Sequence, residues 1–390
     1  MTASVRARLI LVALVVAALG GLSTFLVAAQ HSGAPPAGDF VARRAAEWVL
    51  AGPDAEQRRA AMLSRSRFRL ASDEPDRFHV ASGAAASAVM PSCRFLNDPP
   101  SGTTAKFNCV LDGGTVIKVK YGRNPEIQGE VAGTRLLRLM GFPADEVVIV
   151  PRLRCYGCPR DPFVTVVAST WMKTRELLGP AGFDNGYTEF EWVAVERRFP
   201  APAIETEQTE GWAWWEMANA ADAPSHSDDL DSLRLLAVFM AHWDNKHENQ
   251  RLVCLDGPPP SPSADCQQPL AMIQDLGATF GPTKVNIGTW PSVPIWDDPE
   301  TCRITMRSLP WRGGTFQDVQ ISEAGRRALA DRLAAITDDQ LRDLFTEARF
   351  PEYQTATDDE QDVREWTAAF RNRARQIVLA GPCPVVQRST

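Results

Sequence analysis

The chain has no surplus of positive charge. Its 41 Lys and Arg face 48 Asp and Glu, a formal net charge of −7 over 390 residues. No dense Lys/Arg stripe offsets that balance, which argues against a general nucleic-acid binder. A G-x-G-x-x-G phosphate loop is also missing. One Cys-x-x-Cys occurs, at Cys155 and Cys158, but no second pair has zinc-knuckle spacing, so a zinc knuckle is not expected. What is there is a globular composition, 44% hydrophobic and 23% charged, and the 29 Pro suggest many loops. The length suits two or three ordinary domains, or one two-lobed protein with extensions.

Residues 1–29 read as a targeting segment. Arg6 and Arg8 precede an unbroken apolar run from Leu9 to Leu19, and Val27-Ala28-Ala29 before Gln30 has the small residues of a cleavage site. The stretch is also long enough to span a bilayer, so a signal peptide and an uncleaved anchor both stay open. Either exports the remainder of the chain, to the periplasm, the exterior or the outer side of a membrane. Eight cysteines, an even number, suit an oxidising compartment. Cys254 and Cys266 flank a Pro-rich stretch and are the pair the sequence favours for a disulfide. Cys93 with Cys109, Cys155 with Cys158, and Cys302 with Cys383 are suggested for the rest, although spacing does not fix connectivity.

The chemistry concentrates in His242-Trp243-Asp244-Asn245-Lys246-His247-Glu248-Asn249, which sets a carboxylate and a carboxamide five residues apart in one polar loop. An apolar helical run, Leu230 to Ala241, leads into it. A strand at Leu252–Leu255 comes next, and a second at Leu270–Ile273 delivers Asp275 ahead of Leu276-Gly277. Acid–amide loops are commonly turns in which Asp and Asn bond their own backbone. A second acid in this order, after a strand hairpin, points further. Phosphoryl transfer needs a carboxylate to orient the nucleophile, oxygen ligands for a metal, and a cation on the phosphates. Asp244 suits the first role, Asn249 and Asp275 offer hard oxygens suited to magnesium, and Lys246 can reach a transferring phosphate. The pattern His-x-Asp-x-Lys-x-Glu-Asn followed by Asp-Leu-Gly resembles the catalytic loop and DFG element of the protein-kinase-like superfamily.

That resemblance covers residues 95–380 and implies an α+β, two-lobed protein-kinase-like fold: a small β-rich lobe with one main helix, and a larger α-rich lobe. Residues 30–90 would be a linker and helical extension, 91–215 the small nucleotide-binding lobe with an insertion, and 216–390 the large catalytic lobe. Helices are expected over Phe40–Leu50 and Ala55–Arg69, forming a brace without chemistry of its own. Strands Lys106–Leu111 and Thr115–Tyr121 flank the hairpin turn Asp112-Gly113-Gly114. Just before them, Ser101-Gly102-Thr103-Thr104 is either a plain surface turn or a loop laying N–H groups over phosphates. Lys118 and Lys120 share a strand face. A solvated face is the ordinary reading; the resemblance implies Lys120 as the phosphate-pairing lysine, with Lys118 in reserve. The helix from Glu126 to its stop at Gly141 would supply the lysine's anionic partner, Glu130, with Glu126 at its start as the alternative. Asp161 to Asp184 reads as an insertion. The strand Glu189–Phe199 would be the hinge, meeting adenine near Glu196, and Gly211–Met217 is an aromatic cluster for core packing or stacking. Helices follow Ser322 and Thr337 and fill Asp362–Leu379.

By that resemblance, Asp244 would orient or deprotonate a hydroxyl and Lys246 would stabilise the transferring charge. Asn249 and Asp275 would hold Mg2+, or Mn2+, and Lys120, fixed by Glu130, would grip the phosphates of ATP. The expected partners are a nucleotide and a hydroxyl acceptor (protein, sugar, lipid or small molecule), with no nucleic acid, and a membrane only through an uncleaved amino terminus. Trp243 stands where many kinases have the Arg that senses a phosphorylated activation loop, and no A-P-E sequence comes after Asp275. Rival readings are a pseudokinase acting as an envelope binding module and a disulfide-handling protein centred on Cys155 and Cys158.

Overall fold

The structure is a computed structural model and describes residues 47–70, 90–98, 102–171, 186–218, 224–258, 261, 264–310, 313–350 and 359–385. The apolar amino-terminal run, the linker after it, Ser101 and most of the Phe40–Leu50 stretch lie outside these residues. The described chain opens with strand β1 (Glu47–Leu50) and helix α1 (Ala55–Ser64). The expected helix over Phe40–Leu50 is therefore corrected at its described end. Trp48 and Leu50 are buried while Val49 is exposed, a period of two that suits a strand.

The small lobe is a closed barrel. Its strands are β2 (Ser92–Leu96), β3 (Lys106–Leu111), β4 (Val116–Lys120), β5 (Glu146–Tyr156) and β6 (Tyr187–Arg197), ordered β2-β3-β4-β6-β5. The β3–β4 hairpin forms at the expected turn because Gly113 and Gly114 both take positive φ, 95° and 89°, at no steric cost. A parallel β2–β5 pairing closes the barrel and sets Cys93 opposite Cys155. Phe107, Ile117, Val119, Leu153 and Val193 fill the interior. Two disulfides join them: Cys93–Cys109 ties β2 to β3, and Cys155–Cys158 closes the end of β5.

Between β4 and β5 runs helix α2 (Pro125–Leu139). Asn124 caps it by accepting from the Glu126 N–H, and Pro125 occupies the first turn, where no donor is needed. It ends at Gly141, with φ 77°. Helix α3 (Pro162–Trp171) opens the expected insertion, the rest of which lies outside the described residues.

The large lobe is built around helix α4 (Pro224–Met240) and a sheet of β1, β7 (Ala203–Thr206), β8 (Gln250–Cys254) and β9 (Pro269–Ile273), in that order. Strand β1 pairs parallel with β7, so the leader is part of the lobe's sheet and not an appendage. A small sheet of β10 (Trp296–Asp298), β11 (Arg303–Ile304) and β12 (Val319–Gln320) precedes helices α5 (Glu323–Ala335), α6 (Asp338–Glu347) and α7 (Asp359–Leu379). The Ser322 cap and the Thr337–Gln340 capping box form as expected. Phe280, Trp290, Phe345, Phe350 and Trp366 interlock edge to face or tilted in the core, Phe350 and Trp366 at 4.6 Å. Trp212 and Trp214 also pack in this core, and Trp215 faces solvent.

Cys254–Cys266 closes the β8–β9 hairpin, and Cys302–Cys383 ties the small sheet to the carboxyl terminus. All four disulfides are the pairs the sequence suggested, and together they fit an oxidising, extracytoplasmic environment. Among the described residues no helix is long and apolar enough to cross a membrane.

Candidate active site

Lys120 ends β4 with its side chain turned inward, 3% exposed. Ten residues on, the first turns of α2 bring Glu130 over the barrel mouth, where its carboxylate pairs with the Lys120 ammonium. Lys120 also lies 3.7 Å from Asp275 Oδ1. Lys118, on the same strand face, pairs with Glu196 of β6 at 2.6 and 2.7 Å. The buried partner of Lys120 is thus Glu130. Glu126 instead meets Thr104 and, at 3.0 Å, Lys284.

The loop between α4 and β8 holds Asp244 and Lys246, paired at 3.0 Å with both side chains about one-third exposed. The Asn249 amide nitrogen donates to Asp244 O at 2.5 Å, which leaves the amide oxygen as the end that could hold a metal. Asn249 O in turn accepts from Gln274 N at 2.9 Å. Asn249 and the residue before Asp275 are therefore cross-strand neighbours, and both proposed metal ligands stand at the open end of one hairpin.

Several residues that carry no motif hold this loop in shape. Asn245 is buried; its side chain accepts from Thr315 N and Phe316 N at 2.8 and 2.9 Å and donates to His242 O at 3.0 Å. Gly211 lies so close that a Cβ there would stand 2.0 Å from His247 O, and its φ is 67°. Arg59, on α1, donates to Gly211 O and grips Glu216 with two bonds of 2.8 and 3.1 Å. The described part of the leader thus props the loop from behind. No local pattern signals this, because the partners are 152 and 157 residues apart.

Asp275 is positioned from two sides. Its Oδ1 accepts from Gly277 N at 3.2 Å, and Phe280 N donates to Met240 O at 2.7 Å while its ring enters the aromatic core. On the helix side, α2 presents Gly129 and Gly133. A Cβ at 129 would meet Gly277 O at 2.8 Å, so the Asp-Leu-Gly backbone rests directly on the helix. Thr279 Oγ1 adds a bond to Gly129 O at 3.2 Å.

Charge is concentrated here. Burial alone would lower the Lys120 ammonium, but Asp275, Glu130 and Glu196 outweigh it and hold the lysine well above its ordinary value. Burial pushes the Glu130 carboxyl up, with Lys120 opposing. For Asp275 burial is again outweighed: Lys120, Lys118 and Lys106, with the Gly277 N–H, hold the carboxyl well below the carboxylate range. Asp275 is therefore an ionised oxygen donor, suited to a hard cation.

Glu196 enters the site by its side chain, which differs from the hinge placement. Its backbone stands in the barrel ladder, opposite Lys118 on one side and Val147 on the other, so the connector between lobes begins after Arg197. In that connector Phe199 N donates to Asp145 Oδ1 at 2.7 Å and Ala201 N to Phe199 O at 2.8 Å, while Pro200 and Pro202 have no donor. Asp145 also meets Arg251 of β8 at 3.4 Å, a buried ion pair across the lobes. Gly102 and Thr103 are exposed in the β2–β3 loop, Gly102 with φ 84°.

No protein-family model matches the chain, and neither does any curated protein sequence. Among solved structures it is similar to the Helicobacter pylori proinflammatory kinase CtkA, with a TM-score of 0.42 and 9% identity over 74% of this chain and 94% of that one. It is also similar to the Golgi casein kinase, with a TM-score of 0.36 and 10% identity over 89% and 92% of the two chains. The element order, barrel with lysine strand, helix with glutamate, connector, helix, polar loop, hairpin and Asp-Leu-Gly, is the two-lobed order expected from the sequence.

Proposed function

We propose that the chain is an exported kinase-like transferase that moves a phosphoryl or nucleotidyl group from Mg-ATP to a hydroxyl acceptor. The observation that carries this reading is the meeting of Lys120, Glu130 and Asp275, drawn from a strand, a helix and a hairpin end, around one buried ammonium. The donor set fits a divalent ion: an ionised Asp275 and the Asn249 amide oxygen are hard ligands, and Mg2+ or Mn2+ bound there would neutralise phosphate charge.

The chain's own groups do the rest. Lys120, locked by Glu130, holds the donor's phosphates. Asp244 accepts a hydrogen bond from the acceptor hydroxyl and takes its proton as the new P–O bond forms and the donor's P–O bond breaks, releasing ADP in phosphoryl transfer or pyrophosphate in nucleotidyl transfer; Lys246, 3.0 Å from Asp244, offsets charge on the moving group. Export through the amino-terminal apolar run and action outside the cytoplasm agree with four disulfides in the described chain.

Incubation with labelled ATP and a cell-envelope extract, read by mass spectrometry, tests the proposal. Wild type should label an acceptor, and Asp244→Ala should label none while melting within a few degrees of wild type. A thermal shift with Mg-ATP but no transfer to any acceptor would make the chain a binding module. Absence of both would end the reading.

A further inference from the structure

Lys106 opens β3 and pairs across the hairpin with Lys120. The residue is 7% exposed, yet among the described residues its ammonium makes no ion pair or hydrogen bond with the protein. Its neighbours are already matched: Lys118 with Glu196, and Lys120 with Glu130. Gly102 of the β2–β3 loop lies against it, so closely that a Cβ there would stand 3.0 Å from Lys106 Nζ. Among the described residues the result is three neighbouring ammonium groups, two paired and one not.

Such an arrangement is unfavourable in the free protein. An ammonium with little room for water and no counter-ion among the described residues is costly, and two like charges close by add to the cost. Burial first, then Lys120 and Lys118, lower the Lys106 ammonium, with Asp275 and Glu130 pulling the other way. Elements that retain such a group commonly serve a ligand at the expense of stability. The ligand must be anionic, and it must enter beneath the β2–β3 loop, on the side of the barrel where Lys120 stands.

We infer that Lys106 is a third phosphate-binding cation of this cleft, doing with an ammonium what a glycine-rich loop does with backbone N–H groups. The inference rests on the nucleotide reading above and deepens it, since it explains how a chain without G-x-G-x-x-G holds a polyphosphate. Lys106 would touch phosphate oxygens and not the base. The chemical class it selects is therefore the polyphosphate chain of a donor.

The test is calorimetric binding to the full chain of Mg-ATP, of magnesium tripolyphosphate and of adenosine, with Lys106→Met and Lys106→Arg. Lys106→Met should weaken ATP and tripolyphosphate by about tenfold to a hundredfold, the worth of one charge-assisted hydrogen bond, and leave adenosine unchanged. Lys106→Arg should keep most of the affinity. Without nucleotide, Lys106→Met should melt at or above wild type, because it removes an unmatched charge. Equal ATP affinity in wild type and Lys106→Met overturns the inference and spares the reading beneath it. So does a sharp fall in melting temperature, which would make Lys106 a structural residue. A wild-type chain that binds none of the three ligands overturns both.

Discussion

Gly133 of α2 lies against Leu276, so closely that a Cβ at position 133 would stand 2.9 Å from the Leu276 Cβ. Four residues earlier in the same helix, Gly129 touches the backbone of Gly277. The helix that carries Glu130 and the segment that carries Asp275 are thereby fitted to one another with no side chain from the helix at these two positions. Gly133→Val forces them apart at an overpacking cost of about 1–3 kcal/mol. We expect a lower urea midpoint and a larger relative loss of magnesium-dependent nucleotide affinity, with Gly133→Ala intermediate. Wild-type affinity in Gly133→Val would refute the coupling.

Removing Lys120 should reveal Glu130 through pH. In Lys120→Met the buried carboxyl has lost its counter-charge, and burial already pushes it up. A carboxyl whose folded value is raised is favoured in the protonated form, so its contribution is present below the unfolded glutamate value and is lost as pH rises. Glu130 in wild type is itself raised to about 8, so the deficit of Lys120→Met should change little between pH 5 and pH 8 and widen between pH 8 and pH 10, reaching about 3–5 kcal/mol for a stranded buried charge. Adding Glu130→Met should recover much of it. Denaturant melts across that range check the sign, and a flat deficit contradicts it.

Base selection by the connector should be weak. Phe199 and Ala201 give their N–H groups to protein acceptors, and two prolines have none. An unmade hydrogen bond of this kind is worth about 1 kcal/mol, a factor of about five. Mg-GTP should therefore compete with Mg-ATP within about an order of magnitude. Competition binding measures it, and a preference far beyond that would place base readout in another element.

His242 predicts a second pH effect. It is fully buried, and neither ring nitrogen has a partner among the described residues. Burial, opposed by Asp244 and Asp275, lowers the imidazole from 6.5 to about 4. A neutral buried histidine contributes stability that is complete above the unfolded value and is lost as pH falls towards 4, about 3 kcal/mol in all. His242→Leu should flatten that part of the stability profile. An unchanged slope between pH 6.5 and 4 would assign the loss to other groups.

Much of this site was legible because its parts are local. The turn at Asp112-Gly113-Gly114 sets the β3–β4 register, and that register places Lys120 on the inner face. The stop at Gly141 closes the helix that lifts Glu130. Loop and Asp-Leu-Gly are short strings whose spacing survives in sequence. Lys106 was within reach, since the same hairpin register pairs it with Lys120, but a lysine opening a strand reads as solvated until the loop above it is seen. The strand at Glu47–Leu50 was not legible. Its Ala- and Arg-rich flank favours helix, and only pairing with β7, more than 150 residues on, overrides that preference. Arg59–Glu216 and Asp145–Arg251 escape for the same reason: a buried ion pair is a property of two places at once.

The parallel seating of β1 on β7 bears on how this protein can be handled. A fragment trimmed to the two recognisable lobes would strip one rail from the sheet and bare a row of backbone donors and acceptors, the kind of margin along which chains recruit one another. The leader is the selvedge of the fabric, and a piece cut inside it should fray into aggregates before its chemistry can be measured.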